Sequence, residues 1–174
     1  MNVYPIEAGN FKLDGGAMFG VVPKSLWTKT NPADTDNMIE MSSRCMLVEN
    51  SDKLILVDTG MGDKQSEKFF KYYKRWGSDN LVKSINSAGF SIDDVTDVLL
   101  THLHFDHCGG AVAWDSSKEA YDVLFKNANY WSNEKHWDWA TSPNPREKAS
   151  FLDENLFPIK AVSYTHLTLP TTLV

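Results

Sequence analysis

Three histidines and one aspartate fall within a six-residue window of this sequence, at His102, His104, Asp106 and His107. Neutral imidazole nitrogen is the commonest protein ligand for metal ions, and a carboxylate adds a hard oxygen donor. Such a mixed set suits Zn²⁺, with Mn²⁺, Fe or Co²⁺ as chemically reasonable alternatives. A lone histidine is more often an ordinary core or surface residue, but four such side chains in one window predict a metal site.

The segment before this window predicts where the site lies in the fold. Residues 95–101 are rich in branched apolar side chains, which is typical of a strand buried on both faces. The carboxyl ends of such strands are where α/β proteins place their chemistry. The window therefore lies where a buried strand ends and a loop begins.

The spacing within the window predicts two metal positions. In an extended segment, residues two apart point to the same side, so His102 and His104 can bind one ion together. Asp106 and His107 follow on a turning backbone and face a second position. The glycines at residues 109–110 allow the chain to fold back tightly without a side chain that blocks the site.

Three stretches of the chain resemble the metallo-β-lactamase superfamily. Residues 102–107 match its His-X-His-X-Asp-His hallmark, and residues 54–60 resemble its strand that ends in an aspartate. Residues 13–23 resemble a narrower lactonase-like branch, which includes acyl-homoserine lactonases and methyl parathion hydrolase relatives. The similarity covers residues 11–160 and implies an α/β fold of mixed sheets, the amino-terminal half of an αββα sandwich.

The resemblance implies a role for each residue of the site. His102 and His104 are expected to bind the first metal ion, and Asp106 and His107 the second. Asp106 is also the expected catalytic residue, since it can orient the nucleophile and pass a proton to the leaving group. Asp58 is expected to brace the motif loop beside the metal, and a carboxylate that caps the next turn is a compatible alternative.

The implied activity is hydrolysis by a metal-bound hydroxide, with two Zn²⁺ ions per complete chain. The expected substrates are small-molecule lactones or related esters. The alternatives are a phosphotriesterase, an arylsulfatase or a thioester hydrolase on the same scaffold, and an inactive truncated fragment that binds metal.

The rest of the superfamily's ligands lie downstream of the motif. His136 follows Ser132, the expected N-cap of a tryptophan-rich helix, and is interpreted as an ordinary helix-surface or boundary histidine. His166 lies in residues 161–174, which resemble non-native or read-through sequence; a genuine terminal strand is the alternative. We therefore expect a partial metallo-β-lactamase domain over residues 1–160.

Composition and charge limit the partners of the chain. The net charge of −6 argues against nucleic acid, because binding to phosphates relies on Lys and Arg clusters. The basic and aromatic run at residues 66–76 favours an amphipathic helix packed against the sheet over a nucleic-acid patch. No stretch approaches the roughly 18 apolar residues of a membrane span. The sequence leaves the oligomeric state open.

Cysteine usage and the amino terminus bear on location. Cys45 and Cys108 are too few for a disulfide framework, and both are expected to be buried thiols. Residues 1–7 lack the basic and apolar segments of a secretory signal. The expected location is the cytoplasm.

Turn residues and periodicity predict the elements around the site. Strands are expected at residues 12–13, 19–22, 44–49, 53–57 and 123–125, with the third and fourth joined as a hairpin. The amphipathic helix is expected to end before Gly77, and Asp79 to cap a second helix that closes at Gly89. Phe105 lies between two expected ligands and is predicted to lie near a substrate pocket.

Overall fold

The computed structural model describes residues 1–162, and it confirms the predicted mixed α/β fold. The strands are β1 (Asn2–Asp14), β2 (Met38–Asn50), β3 (Lys53–Val57), β4 (Asp97–Leu99), β5 (Val112–Trp114), β6 (Tyr121–Val123) and β7 (Asn129–Trp131). The helices are α1 (Gly15–Phe19), α2 (Lys24–Trp27), α3 (Glu67–Tyr72), α4 (Leu81–Ser87), α5 (Phe105–Cys108), α6 (Glu134–Thr141) and α7 (Asp153–Val162). Over these residues, no helix has the length and apolar character needed to cross a membrane.

The main sheet brings the candidate site segments to one edge. Its strand order is β1-β2-β3-β4-β7, with antiparallel pairing up to β3 and parallel pairing of β4 with both β3 and β7. Val57, Leu99 and Trp131 lie side by side at the carboxyl ends of the three parallel strands. The loops that leave these ends therefore meet, and they carry Asp58 and the histidine motif.

The predicted hairpin is confirmed. β2 and β3 pair from Asn50 opposite Lys53 to Met46 opposite Val57. Ser51 in the connecting turn has φ +54°, the left-handed backbone that tight hairpin turns require. β2 begins at Met38, well before the predicted residue 44, because its first half continues to pair with β1.

The core lies on both sides of the motif. In the main cluster, Leu56 of β3, Val98 of β4 and Leu103 of the motif loop are fully buried. A smaller cluster is built around three buried residues, Phe11, Met61 and Phe105. α4 packs against β1, and α7 packs against β5, β6 and β7.

Of the two amino-terminal strands that were expected, the one at residues 12–13 is confirmed as part of a longer strand, and the one at residues 19–22 is wrong. Residues 12–13 are the end of the long strand β1, and residues 19–22 include the end of helix α1. Asp14 caps this helix by accepting a 2.7 Å hydrogen bond from a backbone amide of the first turn, which favours helix over strand. Phe19 then stacks on Trp27 at a ring-centroid distance of 5.0 Å.

Two helix caps lie one residue later than predicted. Asn80, not Asp79, accepts two backbone hydrogen bonds at the start of α4. Asn133, not Ser132, accepts the backbone hydrogen bond of His136 at the start of α6. Asn, Asp and Ser are all good N-caps, so the residue type alone does not separate the neighbours.

The amphipathic helix is shorter than predicted, and its aromatic residues pack on the motif. α3 ends at Tyr72, and Phe69 meets the ring of Phe105 edge-on at 5.4 Å. The ring of Tyr73 lies 4.8 Å from Phe105. Tyr72 is 68% exposed and Trp76 39%, so only part of the aromatic face is buried.

The carboxyl-terminal part of the described chain differs in detail from the prediction. The strand expected at residues 123–125 is β6, which ends at Val123. No sequence pattern predicts β7. Of the expected tail, residues 161–162 complete α7, and residues 163–174, including His166, lie outside the described residues. The partial domain over residues 1–160 stays a prediction.

Candidate metal centre

The loop after β3 and the motif loop after β4 are joined by backbone hydrogen bonds. Thr59 N donates to His107 O at 2.8 Å, and Gly110 N donates to Gly60 O at 2.9 Å. The hydroxyl of Thr59, which is fully buried, donates to the same His107 carbonyl at 2.9 Å. These hydrogen bonds, together with the register of β3 and β4, fix the distance between Asp58 and the motif.

The two glycines after the motif are required by this close approach. A Cβ atom on Gly110 would overlap the carbonyl oxygen of Thr59, and one on Gly109 would overlap that of Met61. Both clashes involve backbone atoms, which cannot move aside as a flexible side chain can. The predicted tight fold-back is confirmed, and its reason is the space between the two loops.

Asp58 holds the two ends of the motif. It has φ +59°, which turns its carboxylate toward the motif loop. That carboxylate accepts hydrogen bonds from the backbone N of Thr101 at 2.8 Å and from its hydroxyl at 2.7 Å. Asp58 Oδ2 also lies 2.9 Å from His107 Nδ1. The structure therefore places Asp58 where the sequence predicts a bracing carboxylate.

The three imidazoles of the motif lie together. The ring of His102 is 4.7 Å from that of His104 and 3.8 Å from that of His107, between centroids. Asp106 Oδ2 lies 3.7 Å from His107 Nε2. Helix α5 begins directly after His104, so the chain turns between the first pair of expected ligands and the second.

These side chains do not converge on one point within residues 1–162. No group of three or more His, Cys, Asp or Glu side chains in that range has the arrangement needed to hold a metal ion. His107 Nε2 faces Asp106 instead, and the ring of His104 packs on Phe151 at 4.8 Å. The residues that the sequence predicts as ligands are neighbours, but within the described residues they do not form a metal site.

The electrostatics of the cluster favour neutral, metal-ready imidazole at His102. Burial and the nearby charges of His107 and His104 lower the pKa of His102 to about 4. Burial opposes protonation of His107 too, but the hydrogen bond that its Nδ1 donates to Asp58 and the charge of Asp106 outweigh burial and raise the pKa of His107. Burial also disfavours the Asp58 carboxylate, yet its bonds to His107 and Thr101 lower the pKa of that group.

The donor set fits the metal that the sequence implies. Nδ1 of His107 is engaged by Asp58, so Nε2, which lies 3.7 Å from Asp106 Oδ2, is the nitrogen that would bind a metal. His102 adds a neutral imidazole, and Asp106 adds an oxygen donor on the same loop. Nitrogen and oxygen donors of this kind suit Zn²⁺.

Two residues near the motif have partners that the sequence does not predict. His136 is half-buried at the helix boundary, as predicted, but its Nε2 accepts a 2.9 Å hydrogen bond from the backbone N of Leu103. Cys108 is a buried thiol, as predicted, and its Sγ donates to Leu103 O at 3.3 Å. His136 lies 33 residues from Leu103, and no local sequence pattern indicates such a contact.

A cavity of about 150 Å³ adjoins the motif. It is lined by Asp58, Asp106 and His107 on one side and by Phe11 and residues 41–45 on the other. Most of its lining side chains are polar or charged, and the large apolar ones are Phe11 and Met41. Phe105, which was expected near a substrate pocket, does not line this cavity. Its ring is buried in an aromatic cluster with Phe69 and Tyr73.

Comparison with known proteins identifies a hydrolase family and several of its members as relatives. Residues 39–174 match the family model of the metallo-beta-lactamase superfamily. An N-acyl homoserine lactonase of Bacillus cereus is 28% identical over 104 residues, which are 54% of this chain and 40% of the lactonase. A probable metallo-hydrolase of Mycobacterium tuberculosis is 34% identical over 80 residues, 41% of this chain and 26% of that protein.

Solved structures share the fold. A probable metal-dependent hydrolase from Staphylococcus aureus superposes with a TM-score of 0.86 at 29% identity, over 95% of this chain and 58% of that one. A dizinc quorum-quenching lactonase, solved with a product, gives a TM-score of 0.67 at 25% identity, over 98% of this chain and 59% of the lactonase. The chain thus spans less than two thirds of the length of these relatives.

Proposed function

Since the chain belongs to the metallo-beta-lactamase superfamily, we propose that it provides the motif half of the metal centre of a metal-dependent hydrolase. The observation that carries this proposal is the contact between Asp58 Oδ2 and His107 Nδ1, which leaves Nε2 of that imidazole for a metal. His102, His104, Asp106 and His107 are the proposed ligands, and the remaining ligands come from the other half of the complete protein.

The proposed metal is zinc, with two ions in the complete protein. The dizinc lactonase of the same fold supports this choice, and so does the nitrogen and oxygen donor set. When bound, the metal supplies a water molecule of lowered pKa and a Lewis acid for the substrate's carbonyl or phosphoryl oxygen.

The residues of this chain then have separate tasks. Asp58 orients His107, and the neutral ring of His102 needs no proton loss at pH 7 before it binds. Asp106 accepts a proton from the attacking water and delivers it to the leaving group. The cavity between Asp106 and Phe11 receives the substrate.

The proposed substrates are lactones or related esters. The lactonase from Bacillus cereus and the lactonase solved with its product support this class. A small-molecule substrate also agrees with the net charge of −6, which opposes a polyanionic partner. The proposed location is the cytoplasm, and the free, buried thiols of Cys45 and Cys108 support a reducing compartment.

The test measures bound metal and hydrolysis together, on the 174-residue chain and on the full product of its gene. The substrates are an acyl-homoserine lactone, a phosphotriester, an aryl sulfate and a thioester. We expect about two Zn²⁺ ions per full-length chain and lactone hydrolysis that chelation abolishes. Asp106→Asn should lower kcat at least ~100-fold, whereas the exposed control Asp138→Asn should leave it unchanged.

The other outcomes separate the alternatives. Preference for another substrate of the panel would assign the enzyme to that reaction instead of lactone opening. Bound metal without hydrolysis of any substrate would identify a metal-binding protein without catalysis. Less than one metal ion per full-length chain would overturn the proposal.

A further inference from the structure

Leu103 lies between the two histidines proposed to bind the first metal ion, and its backbone is held by side chains. Its amide donates to His136 Nε2 at 2.9 Å, and its carbonyl accepts from Cys108 Sγ at 3.3 Å. Its side chain is completely buried in the main core. All three groups of this residue are therefore fixed, although it belongs to a loop.

His136 is itself well positioned for this contact. Asn133 caps α6 by accepting the backbone amide of His136 at 3.2 Å, which fixes the first turn of the helix. The imidazole lies beside Phe151, with 5.8 Å between ring centroids, and 6.3 Å from the ring of His102. An imidazole nitrogen that accepts a hydrogen bond carries no proton, so Nε2 of His136 is unprotonated.

We propose that His136 is a positioning residue that, together with Cys108, fixes the two peptide groups on either side of Leu103 and with them the relative orientation of His102 and His104. His102 precedes the first of these peptide groups and His104 follows the second, so rotation of either group would reorient the neighbouring histidine. His136 is not proposed as a ligand, since its Nε2 is already engaged. The effect on metal binding rests on the proposed function, whereas the peptide lock exists without metal.

The first test is nuclear magnetic resonance on the metal-free chain. We expect Nε2 of His136 to show the chemical shift of an unprotonated nitrogen and a coupling to Leu103 N through the hydrogen bond. His136→Leu should speed hydrogen exchange of the Leu103 amide at least ~10-fold and shift the side-chain signals of His104. An exchange rate that stays unchanged in His136→Leu would overturn the proposal.

The second test measures Co²⁺ binding by its visible absorption, with a chelator as competitor. We expect His136→Leu to weaken binding ~10-fold or more, as losses of residues behind metal ligands do. His136→Gln should restore most of the affinity, because a glutamine oxygen can replace Nε2 as acceptor. Asn133→Ala is the matched control, since it destabilises the same helix turn but keeps the acceptor.

The outcomes distinguish this inference from the proposed function. Equal losses of affinity in His136→Leu and Asn133→Ala would mean that α6 acts only through stability, and would overturn the positioning role. Failure of the wild-type full-length protein to bind Co²⁺ would contradict the metal centre. In that case the exchange of the Leu103 amide still decides whether His136 holds the peptide.

Discussion

At the scale of single residues, the site depends on carboxylate and ammonium groups that are held away from water. Asp58 is the clearest case, because one carboxylate contacts Thr101 at the start of the motif and His107 near its end. A second case is Lys64, which is 5% exposed and donates to the carbonyl of Gly109 at 2.5 Å. Substitution of Asp58 should change metal binding, and substitution of Lys64 should change the pH dependence of stability.

Asp58→Asn should disturb His107 more than it disturbs the fold. Loss of the carboxylate should weaken Zn²⁺ binding ~10- to 100-fold, because the imidazole is no longer oriented. In the metal-free chain the pKa of His107 should fall, since the Asp58 hydrogen bond and charge now raise it. A chelator competition and a histidine titration by magnetic resonance measure the two effects. The exposed Asp93→Asn is the control, and equal shifts in both variants would contradict the role.

Lys64 should make stability rise at high pH. Burial lowers its pKa from 10.5 to about 8, so the unfolded chain holds the proton over a range where the folded chain has lost it. The contribution of Lys64 to stability therefore increases with pH across that window, by about 2 kcal/mol between pH 7.5 and pH 10. It is measured as the difference between wild type and Lys64→Met, because burial raises the pKa of Cys45 and of Cys108 to about 12 and these thiols act in the opposite direction. Urea unfolding at several pH values should show that the free energy of unfolding rises with pH in the wild type relative to Lys64→Met. Parallel curves for the two proteins would refute it.

At the scale of elements, the parallel strands β3, β4 and β7 act as one support for the motif. Asp97 of β4 connects them, because its carboxylate accepts from Trp131 Nε1 of β7 at 2.8 Å and from Lys53 Nζ of β3 at 3.0 Å. Thr96 adds a hydroxyl donor at 2.6 Å. The motif loop therefore begins from a strand that is tied on both sides.

Asp97→Asn should lower stability at neutral pH and have little effect in acid. Burial disfavours the carboxylate, but the bonds from Thr96, Trp131 and Lys53 prevail and hold its pKa below the usual 3.8. A lowered pKa stabilises the fold above pH 4, and this contribution is lost as the pH falls through the folded value. The expected cost is about 1–3 kcal/mol at pH 7. Urea unfolding from pH 7 down through the acid range, with the exposed Asp52→Asn as control, should show the stability difference between wild type and Asp97→Asn shrink as the pH falls.

The contact between the two loops predicts a strong effect of one methyl group. Gly110→Ala places a Cβ atom against the Thr59 carbonyl, so the loop after β3 must separate from the motif loop. We expect a loss of about 2 kcal/mol or more, as overpacking in a tight interior produces. Gly89→Ala is the control, because Gly89 follows the C-cap of α4 with φ +94° and open space around it and should lose only about 1 kcal/mol. Equal losses in thermal unfolding would argue against the loop contact.

At the scale of the whole molecule, features formed by residues close together in the sequence are predictable, and contacts between distant segments are not. The hairpin and the four motif residues were predicted because their signals are local: a short turn, and donors within six residues. β1 was not predicted at full length, because the register shift between Glu7 and Asn10 breaks its alternating pattern. The bond from Leu103 to His136 joins distant segments, and only packing creates it.

Metal binding should stabilise the whole molecule. An ion that binds only the folded state, at a free concentration 100 times its Kd, adds about 2.7 kcal/mol. We therefore expect Zn²⁺ to raise the Tm and a chelator to reverse the rise. The double variant His102→Ala with His107→Ala should show no such response. A similar rise in that variant would mean that zinc binds elsewhere.

The strand order also dictates a sequence of folding events. Closing the two-residue turn between β2 and β3 costs little chain entropy, whereas β4 must cross the 39 residues between Val57 and Asp97 before it can pair with β3. The contact of Asp58 with the motif exists only after that slow pairing. We therefore expect the contact between Asp58 and the motif to form after the transition state of folding. Bound metal should accordingly slow unfolding and leave the folding rate unchanged.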